Sequence, residues 1–229
     1  MYLSRLILNP RSRAVRRDLA DCHSMHQTIL AVFPRASDDA EQGARSQFGI
    51  LYRLDIEPRT GRFVLYVQSR TEPDWNHLTP DYLLRTTGLE NPACKSVRQQ
   101  YGSIREGVVF RFRLRANPTR KVDTKSGPGG EKRNGRRVGL VREEDLVEWL
   151  RRKAEAGGFT LLDLVVHGSG SEAKVSGAHP EGTLAFRAVV FEGRLLVTDG
   201  ERFRTTLSSG LGSGKAYGFG LLSVAPVTG

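Results

Sequence analysis

The sequence has few cysteines and no long apolar stretch, and each of these absences excludes a class of protein. Cys22 and Cys94 are the only cysteines among 229 residues, which is too few for a disulfide scaffold and is typical of a reducing compartment. No apolar run approaches the roughly 20 residues that a membrane-spanning helix requires. The run Leu6–Leu8 is too short for the core of a signal peptide. We therefore expect a cytoplasmic protein with free thiols.

Acidic residues are also scarce relative to basic ones. The 35 Lys and Arg residues exceed the 25 Asp and Glu residues, which gives a net charge of +10. Such an excess favours a polyanionic partner through counterion release and electrostatic steering. The remaining composition is that of a folded globular protein, and the length suits one large domain or two of about 110 residues. Nucleic acid is therefore the best class of partner, although composition does not distinguish DNA from RNA.

Several ligand-binding motifs are incomplete. Five glycines surround Lys215 between Gly210 and Gly220, but a nucleotide triphosphate loop would need glycine at position 209 and Ser or Thr at position 216. Glycines at this density, including Gly212 and Gly214, instead predict close contact between the backbone and an anion such as a phosphate. The stacking motif of RNA-recognition modules is absent as well. No second Cys/His cluster completes a zinc site with Cys22, His23 and His26, so we predict no metal and no cofactor.

The order of predicted elements indicates two ferredoxin-like domains. In the first half, strands are predicted at 2–8, 48–56, 63–69 and 108–115, with helical sequence up to Phe33 and a weak helix at 81–86. In the second half, the prediction gives a strand at 137–141, a helix at 143–156, a strand at 159–167, a hairpin of 184–191 with 195–198, a helix at 201–208 and a strand at 218–225. The fold class is therefore α+β, with βαββαβ domains at 1–118 and 140–229.

A basic, glycine-rich segment at 119–139 is predicted to join the two domains. It carries seven Lys and Arg residues against two acids, and its central Gly and Pro residues favour neither a helix nor a strand. Immediately before it, the sequence VVFRFRLR alternates apolar and basic residues, so one face of this strand packs and the other is cationic. The predicted nucleic-acid contacts here are Arg115, Arg120, Lys121, Arg133, Arg136 and Arg137.

Two histidines lie three residues apart on a predicted helix and are neighbours on one of its faces. His23 and His26 could act together in RNA cleavage, because one imidazole can take the proton of the 2′-hydroxyl while the other protonates the departing 5′-oxygen. This chemistry requires no metal. The alternative is that the core stripe of Met25, Ile29 and Val32 leaves both histidines as solvated flanking residues.

Several motifs together resemble the CasE-type CRISPR RNA-processing endoribonucleases, the repeat-cleaving subunits of type I-E Cascade complexes. The resemblance covers almost the whole chain, and its most specific parts are RLRANP at 113–118 and the glycine-rich pattern within 210–226. The matching segments are MYLSRLILNPRSRAVRRDL at 1–19, MHQT at 25–28, TEPDW at 71–75, FRFRLRANPTRKV at 110–122, WLRRKAEAGGF at 149–159, VFEGRLLVTD at 190–199 and GLGSGKAYGFGLLSVAP at 210–226.

The resemblance implies two ferredoxin-like domains and metal-independent cleavage of precursor CRISPR RNA at the 3′ base of the repeat hairpin. Attack by the 2′-hydroxyl would leave a 2′,3′-cyclic phosphate and a 5′-hydroxyl. The catalytic histidine of the family falls on His26, and Lys215 lies in the retained glycine-rich segment. The enzyme is expected to stay bound to the cleaved hairpin within Cascade.

Two departures from the family pattern bear on the site. The family carries a tyrosine three residues before its histidine, where this chain has His23, which can be the second acid/base group or a residue that positions the phosphate. The family also grips the repeat stem with a basic hairpin, whereas the stretch 169–182 contains Lys174 as its one unambiguous cation. Part of the stem contact is therefore expected in the segment 119–139. The alternative function is a non-catalytic subunit that binds the RNA hairpin.

Overall fold

The computed structural model describes residues 1–34, 43–122, 136–168, 174–179 and 182–227. Its first half is built on a four-stranded antiparallel sheet. The elements in chain order are β1 (Tyr2–Ile7), α1 (Arg13–Ala20), α2 (Cys22–Leu30), α3 (Gly43–Gln47), β2 (Leu51–Ile56), β3 (Phe63–Ser69), a 3₁₀ turn (Trp75–His77), β4 (Ala93–Ser96) and α4 (Arg98–Gly102). The sheet order is β2-β3-β1-β4, which is the order of a ferredoxin-like domain.

The second half repeats the same sheet order. Its elements are β5 (Val109–Ala116), β6 (Thr119–Val122), β7 (Arg136–Gly139), α5 (Glu143–Ala156), β8 (Phe159–His167), β9 (Lys174–His179), β10 (Gly182–Arg187), β11 (Val189–Val197), α6 (Gly200–Ser209), a 3₁₀ turn (Lys215–Tyr217) and β12 (Leu222–Pro226). The four-stranded sheet runs β12-β5-β11-β8 and is antiparallel throughout. The predicted fold class of tandem ferredoxin-like domains is therefore confirmed.

The strand β5 belongs to the second sheet, which corrects its predicted place at the end of the first domain. It pairs with β11 and β12, while the short strand β4 closes the first sheet beside β1. The alternation of apolar and basic residues in β5 specifies a two-sided strand but does not specify its partners. The division between the two sheets therefore falls between residues 97 and 108, and not after residue 118.

The basic segment at 119–139 was predicted to connect the two domains, and this prediction is wrong. Its described ends, β6 and β7, pair as an antiparallel ribbon that lies between the first strand and the first helix of the second domain. A second ribbon, β9 with β10, lies between β8 and β11. The predicted hairpin of 184–191 with 195–198 is wrong, because 189–197 is one strand that crosses Gly193 without a turn. The predicted helix at 81–86 is also absent.

Two apolar cores support the sheets. In the first core, Met25 and Ile29 of α2 pack on Leu6 and Leu65 of the sheet, and in the second core Trp149 of α5 stacks on Phe191. The basic face of β5 is turned toward the first domain, where Arg113 lies 3.5 Å from the Asp55 carboxylate. The predicted division of β5 into a packed and a cationic face is thus confirmed.

A buried arginine ties the two domains together. The Arg53 side chain is 4% exposed and forms an ion pair with Asp55 at 3.0 Å. Its guanidinium also donates to the Arg113 carbonyl at 3.2 Å and to the Ser223 hydroxyl at 2.8 Å, both in the second domain. Arg53 therefore fixes the position of β2 against β5 and β12, and this position determines where the glycine-rich segment meets the first domain.

No helix among the described residues has the length and apolar character needed to cross a membrane.

Candidate active site

The two histidines are presented by a helix whose first turn is fixed by a capping aspartate. The Asp21 carboxylate accepts from the His23 backbone N–H at 3.0 Å and from the Ser24 hydroxyl at 2.9 Å, so α1 ends and α2 begins at this residue. Cys22, Met25 and Ile29 are buried on one side of α2. His23 and His26 are partly buried on another side, as their spacing predicts.

His26 is neutral at physiological pH. Burial, followed by repulsion from His23 and then from Arg45, lowers the pKa of its imidazole to about 4. A neutral imidazole has one ring nitrogen free to accept a proton. The surroundings of His26 therefore suit a general base.

His23 contacts the next turn of the same helix. Its Nε2 atom lies 3.1 Å from the side-chain amide nitrogen of Gln27, within hydrogen-bond distance. The contact fixes the orientation of the His23 ring beside His26. The two histidines predicted to act together are thus neighbours on one face of the helix.

The glycine-rich segment of the second domain reaches this helix from across the domain interface. The ring of Tyr217, in the 3₁₀ turn Lys215–Tyr217, lies 5.7 Å from the ring of His26 and 6.5 Å from that of His23, measured between centroids. The Tyr52 hydroxyl of β2 donates to the Ala216 carbonyl at 2.9 Å and anchors the turn. Sequence reasoning missed Tyr217, because only the packing of the two domains brings it to α2.

The glycines of this segment are explained by its tight backbone. Gly212 and Gly214 have φ angles of +80° and +75°, in the left-handed region that side chains disfavour. A Cβ at Gly212 would come within 3.0 Å of the Trp149 ring, and one at Gly214 within 3.0 Å of the Phe219 ring. The local packing thus requires glycine at both positions, and their predicted contact with RNA stays a prediction.

Arg45 acts on His26 directly, and two further cations, Lys215 and Arg115, lie in the second domain near the domain junction. Lys215 donates to the Ser209 carbonyl at 2.8 Å, and burial, then Arg45 and Lys153, lower the pKa of its ammonium group. Arg115 lies 5.1 Å above the Phe219 ring, and burial lowers the pKa of its guanidinium. Arg45, on α3, was not predicted from sequence. These charges make the surface around His26 suitable for a phosphate.

The remaining predicted contacts lie on or near the two ribbons. Arg120, Lys121 and Arg137 are exposed on β6 and β7, where Lys121 faces Arg137 across the ribbon. Arg136 and Lys174 occupy strand positions in β7 and β9, and their side chains lie outside the described part of the chain. Arg133 lies outside the described residues altogether. The backbone of β9 lies against α2, which brings the second ribbon next to the histidines.

A cleft of about 580 Å³ separates the β6–β7 ribbon from the strand β10. Asn117 lies at its base, where its amide donates to the Ser213 hydroxyl at 3.3 Å and its carbonyl oxygen accepts from the Arg187 backbone N–H at 3.1 Å. Phe186 lines the cleft and lies 5.0 Å from the Tyr217 ring, between centroids. The cleft is therefore separated from the histidine cluster by one aromatic pair.

Among residues 1–34, 43–122, 136–168, 174–179 and 182–227, no group of three or more His, Cys, Asp or Glu side chains is arranged to hold a metal ion.

Known proteins are similar in sequence to this chain over almost its full length. A family model described as "CRISPR associated protein" matches residues 1–226. The CRISPR-associated endoribonuclease Cse3 of Thermus thermophilus is 37% identical over 235 residues, covering 99% of this chain and 100% of the relative. The CRISPR system Cascade subunit CasE of Escherichia coli is 28% identical over 99% of this chain and 100% of its own length.

Solved structures support the same relationship. The structure of Thermus thermophilus Cse3 bound to an RNA representing a pre-cleavage complex is 36% identical, covers 98% of both chains and has a TM-score of 0.73. The sequence match extends from the first strand through the glycine-rich segment, so it includes both sides of the histidine cluster. The chain belongs to the family of CRISPR-associated proteins of the CasE type, which includes Cse3.

Proposed function

We propose that this protein is an endoribonuclease that binds the repeat stem-loop of precursor CRISPR RNA and cleaves it at the 3′ base of the hairpin. The observation that carries the proposal is a neutral His26 beside His23 and Arg45, at the point where Tyr217 of the second domain meets the helix α2. The name of its Thermus thermophilus relative, an endoribonuclease, and the RNA bound to that relative in a solved structure support the same activity.

The proposed reaction needs one proton acceptor and one proton donor. His26 takes the proton of the 2′-hydroxyl, and the 2′-oxygen then bonds to the adjacent phosphorus. The bond from phosphorus to the 5′-oxygen breaks, and His23 donates a proton to that oxygen. The products are a 2′,3′-cyclic phosphate and a 5′-hydroxyl, and neither a metal nor a cofactor takes part. Lys215 and Arg115 offset the negative charge that builds up on the phosphorane.

The cleaved hairpin is proposed to stay bound, with the protein as a subunit of Cascade. The CasE relative of Escherichia coli is named as such a subunit, which supports this assignment. Arg120, Lys121 and Arg137 then contact the RNA backbone, together with Arg133, Arg136 and Lys174. A single turnover per protein is expected, because the product is held.

The acid limb of the cleavage pH profile should have its midpoint near pH 4. His26 acts in its deprotonated form, and its pKa is lowered to about 4, so the base stays available until the pH falls to that range. An imidazole with an ordinary pKa would give a midpoint near pH ~6.5. The measurement is the single-turnover rate at subsaturating protein, with circular dichroism at each pH to show that the fold persists.

Arg45→Ala should move the acid limb of the profile to higher pH, since it removes one of the charges that lower the pKa of His26. A midpoint near pH ~6.5 that Arg45→Ala leaves in place would contradict His26 as the base.

The nature of the RNA ends tests the proposed reaction directly. The wild-type protein is incubated with the repeat hairpin in EDTA, and the 3′ end of the upstream fragment is identified by mass spectrometry. A 2′,3′-cyclic phosphate supports attack by the 2′-hydroxyl without a metal. A 3′-hydroxyl, or activity that EDTA abolishes, would overturn the mechanism. Tight binding without cleavage would favour the alternative function, a non-catalytic subunit that binds the hairpin.

A further inference from the structure

One aromatic residue at the histidine cluster has no part in the reaction as proposed so far. Tyr217 comes from the second domain, and its ring lies beside the imidazoles of both His26 and His23. A phosphodiester placed against the two imidazoles therefore lies next to this tyrosine as well. Its ring is partly exposed, so an RNA strand can reach it.

The position of Tyr217 is fixed by its neighbours. Its 3₁₀ turn is enclosed by Gly214 and Gly218, which have φ angles of +75° and +83°. The Tyr52 hydroxyl holds the preceding carbonyl, that of Ala216, and the Phe186 ring packs on Tyr217 at 5.0 Å between centroids. A side chain held on these sides is preorganised, which is the property expected of a group that stabilises a transition state.

The hydroxyl is also in the correct protonation state to donate. Burial, followed by the nearby Cys22, raises the pKa of the Tyr217 phenol, so its proton is retained at physiological pH. Packing against Phe186 and His26 requires only an aromatic ring, which phenylalanine would supply equally well. Packing therefore explains the aromatic ring of Tyr217 but does not explain its hydroxyl.

We infer that Tyr217 is a further catalytic residue, whose hydroxyl donates a hydrogen bond to a non-bridging oxygen of the scissile phosphate. The inference rests on the proposed function. As the 2′-oxygen bonds to phosphorus, negative charge accumulates on the two non-bridging oxygens, and the phenol donates to one of them without losing its proton. His26 and His23 keep the roles of proton acceptor and donor.

Tyr217→Phe tests this assignment, because it removes the hydroxyl and keeps the ring. The single-turnover cleavage rate should fall about 10²-fold, the typical effect of removing one donor to a developing oxyanion. Affinity for the hairpin and the melting temperature should stay close to those of the wild type. Tyr66→Phe is the matched control, since Tyr66 lies under the Arg53 guanidinium on another part of the first domain. It should cleave at the wild-type rate.

Stereospecific sulfur substitution shows whether the contact is to the phosphate itself. In the wild type, one of the two phosphorothioate diastereomers at the cleavage site should be cleaved more slowly than the other. In Tyr217→Phe this difference should shrink, because the contact that sulfur weakens is already gone. A wild-type rate for Tyr217→Phe, or an undiminished difference between the diastereomers, would overturn the inference while leaving the proposed function standing. Absence of cleavage by the wild type would overturn both.

Discussion

His26→Ala should lower the rate of repeat cleavage by about 10²- to 10⁴-fold and leave the affinity for the hairpin within a few-fold of the wild type. A single general acid or base contributes a rate factor in this range. His26 is also neutral, since burial and the neighbouring His23 and Arg45 lower its pKa to about 4, so its removal takes no positive charge away from the RNA-binding surface. Rate and affinity should therefore separate in this variant, as expected when an interaction is made only in the transition state.

The measurements for His26→Ala are single-turnover cleavage and equilibrium binding of a hairpin with a 2′-deoxy residue at the cleavage site. His77→Ala is a suitable control, because His77 lies in a separate 3₁₀ turn with its side chain 62% exposed and paired with Asp74. Free imidazole should restore part of the activity of His26→Ala, since it can enter the space left beside Tyr217 and accept the proton. Loss of binding together with cleavage would make His26 a residue of folding or docking and would contradict its role as the base.

The elements that sequence predicted well are those specified by local pattern. The helix α5, Glu143–Ala156, was predicted with these bounds because its apolar residues recur at helical spacing, three acids occupy its first turn and Gly157 follows its end. The strands β3 and β8 were also predicted with their observed bounds. In each case the residues within the element are sufficient to specify it.

The errors concern contacts between distant parts of the chain. The residues of β5 specify which face is buried. The choice of sheet depends on pairing with β11 and β12, which come much later in the chain. The short strand β4 was missed for the same reason, since only its pairing with β1 makes Ala93–Ser96 a strand. Sequence order alone was compatible with either assignment, because both give two βαββαβ units.

The candidate site shows the same division between local and distant information. The spacing of His23 and His26 is local, so their shared face could be predicted. Arg45 and Tyr217 reach the histidines from α3 and from the second domain, and no spacing in the sequence relates them to α2. The glycine-rich segment was correctly singled out, but the backbone angles and ring contacts at Gly212 and Gly214 give it a packing role that composition does not show.

Replacement of Arg120, Lys121 and Arg137 by alanine should weaken hairpin binding by about 10²-fold at about 0.15 M salt, if each contacts one phosphate. All three are exposed on the β6–β7 ribbon, and Lys121 lies directly opposite Arg137. Like charges opposed across an antiparallel pair repel one another, and a bound polyanion relieves this repulsion. The slope of log affinity against log salt should decrease in magnitude by roughly 2–3, since each neutralised phosphate contributes about 0.7–0.9.

A second triple variant separates direct contact from long-range steering by the net charge of +10. Arg59, Arg62 and Arg98 are exposed on the β2–β3 turn and on α4, away from the ribbons, so their replacement by alanine removes the same charge. Long-range attraction depends on net charge, and it would reduce the salt slope equally in both variants. Contact with phosphates would reduce the slope only in the ribbon variant, because counterions are released where cation and phosphate meet. An unchanged slope in the ribbon variant would assign stem binding to other residues, of which the β9–β10 ribbon beside α2 is the nearest to the histidines.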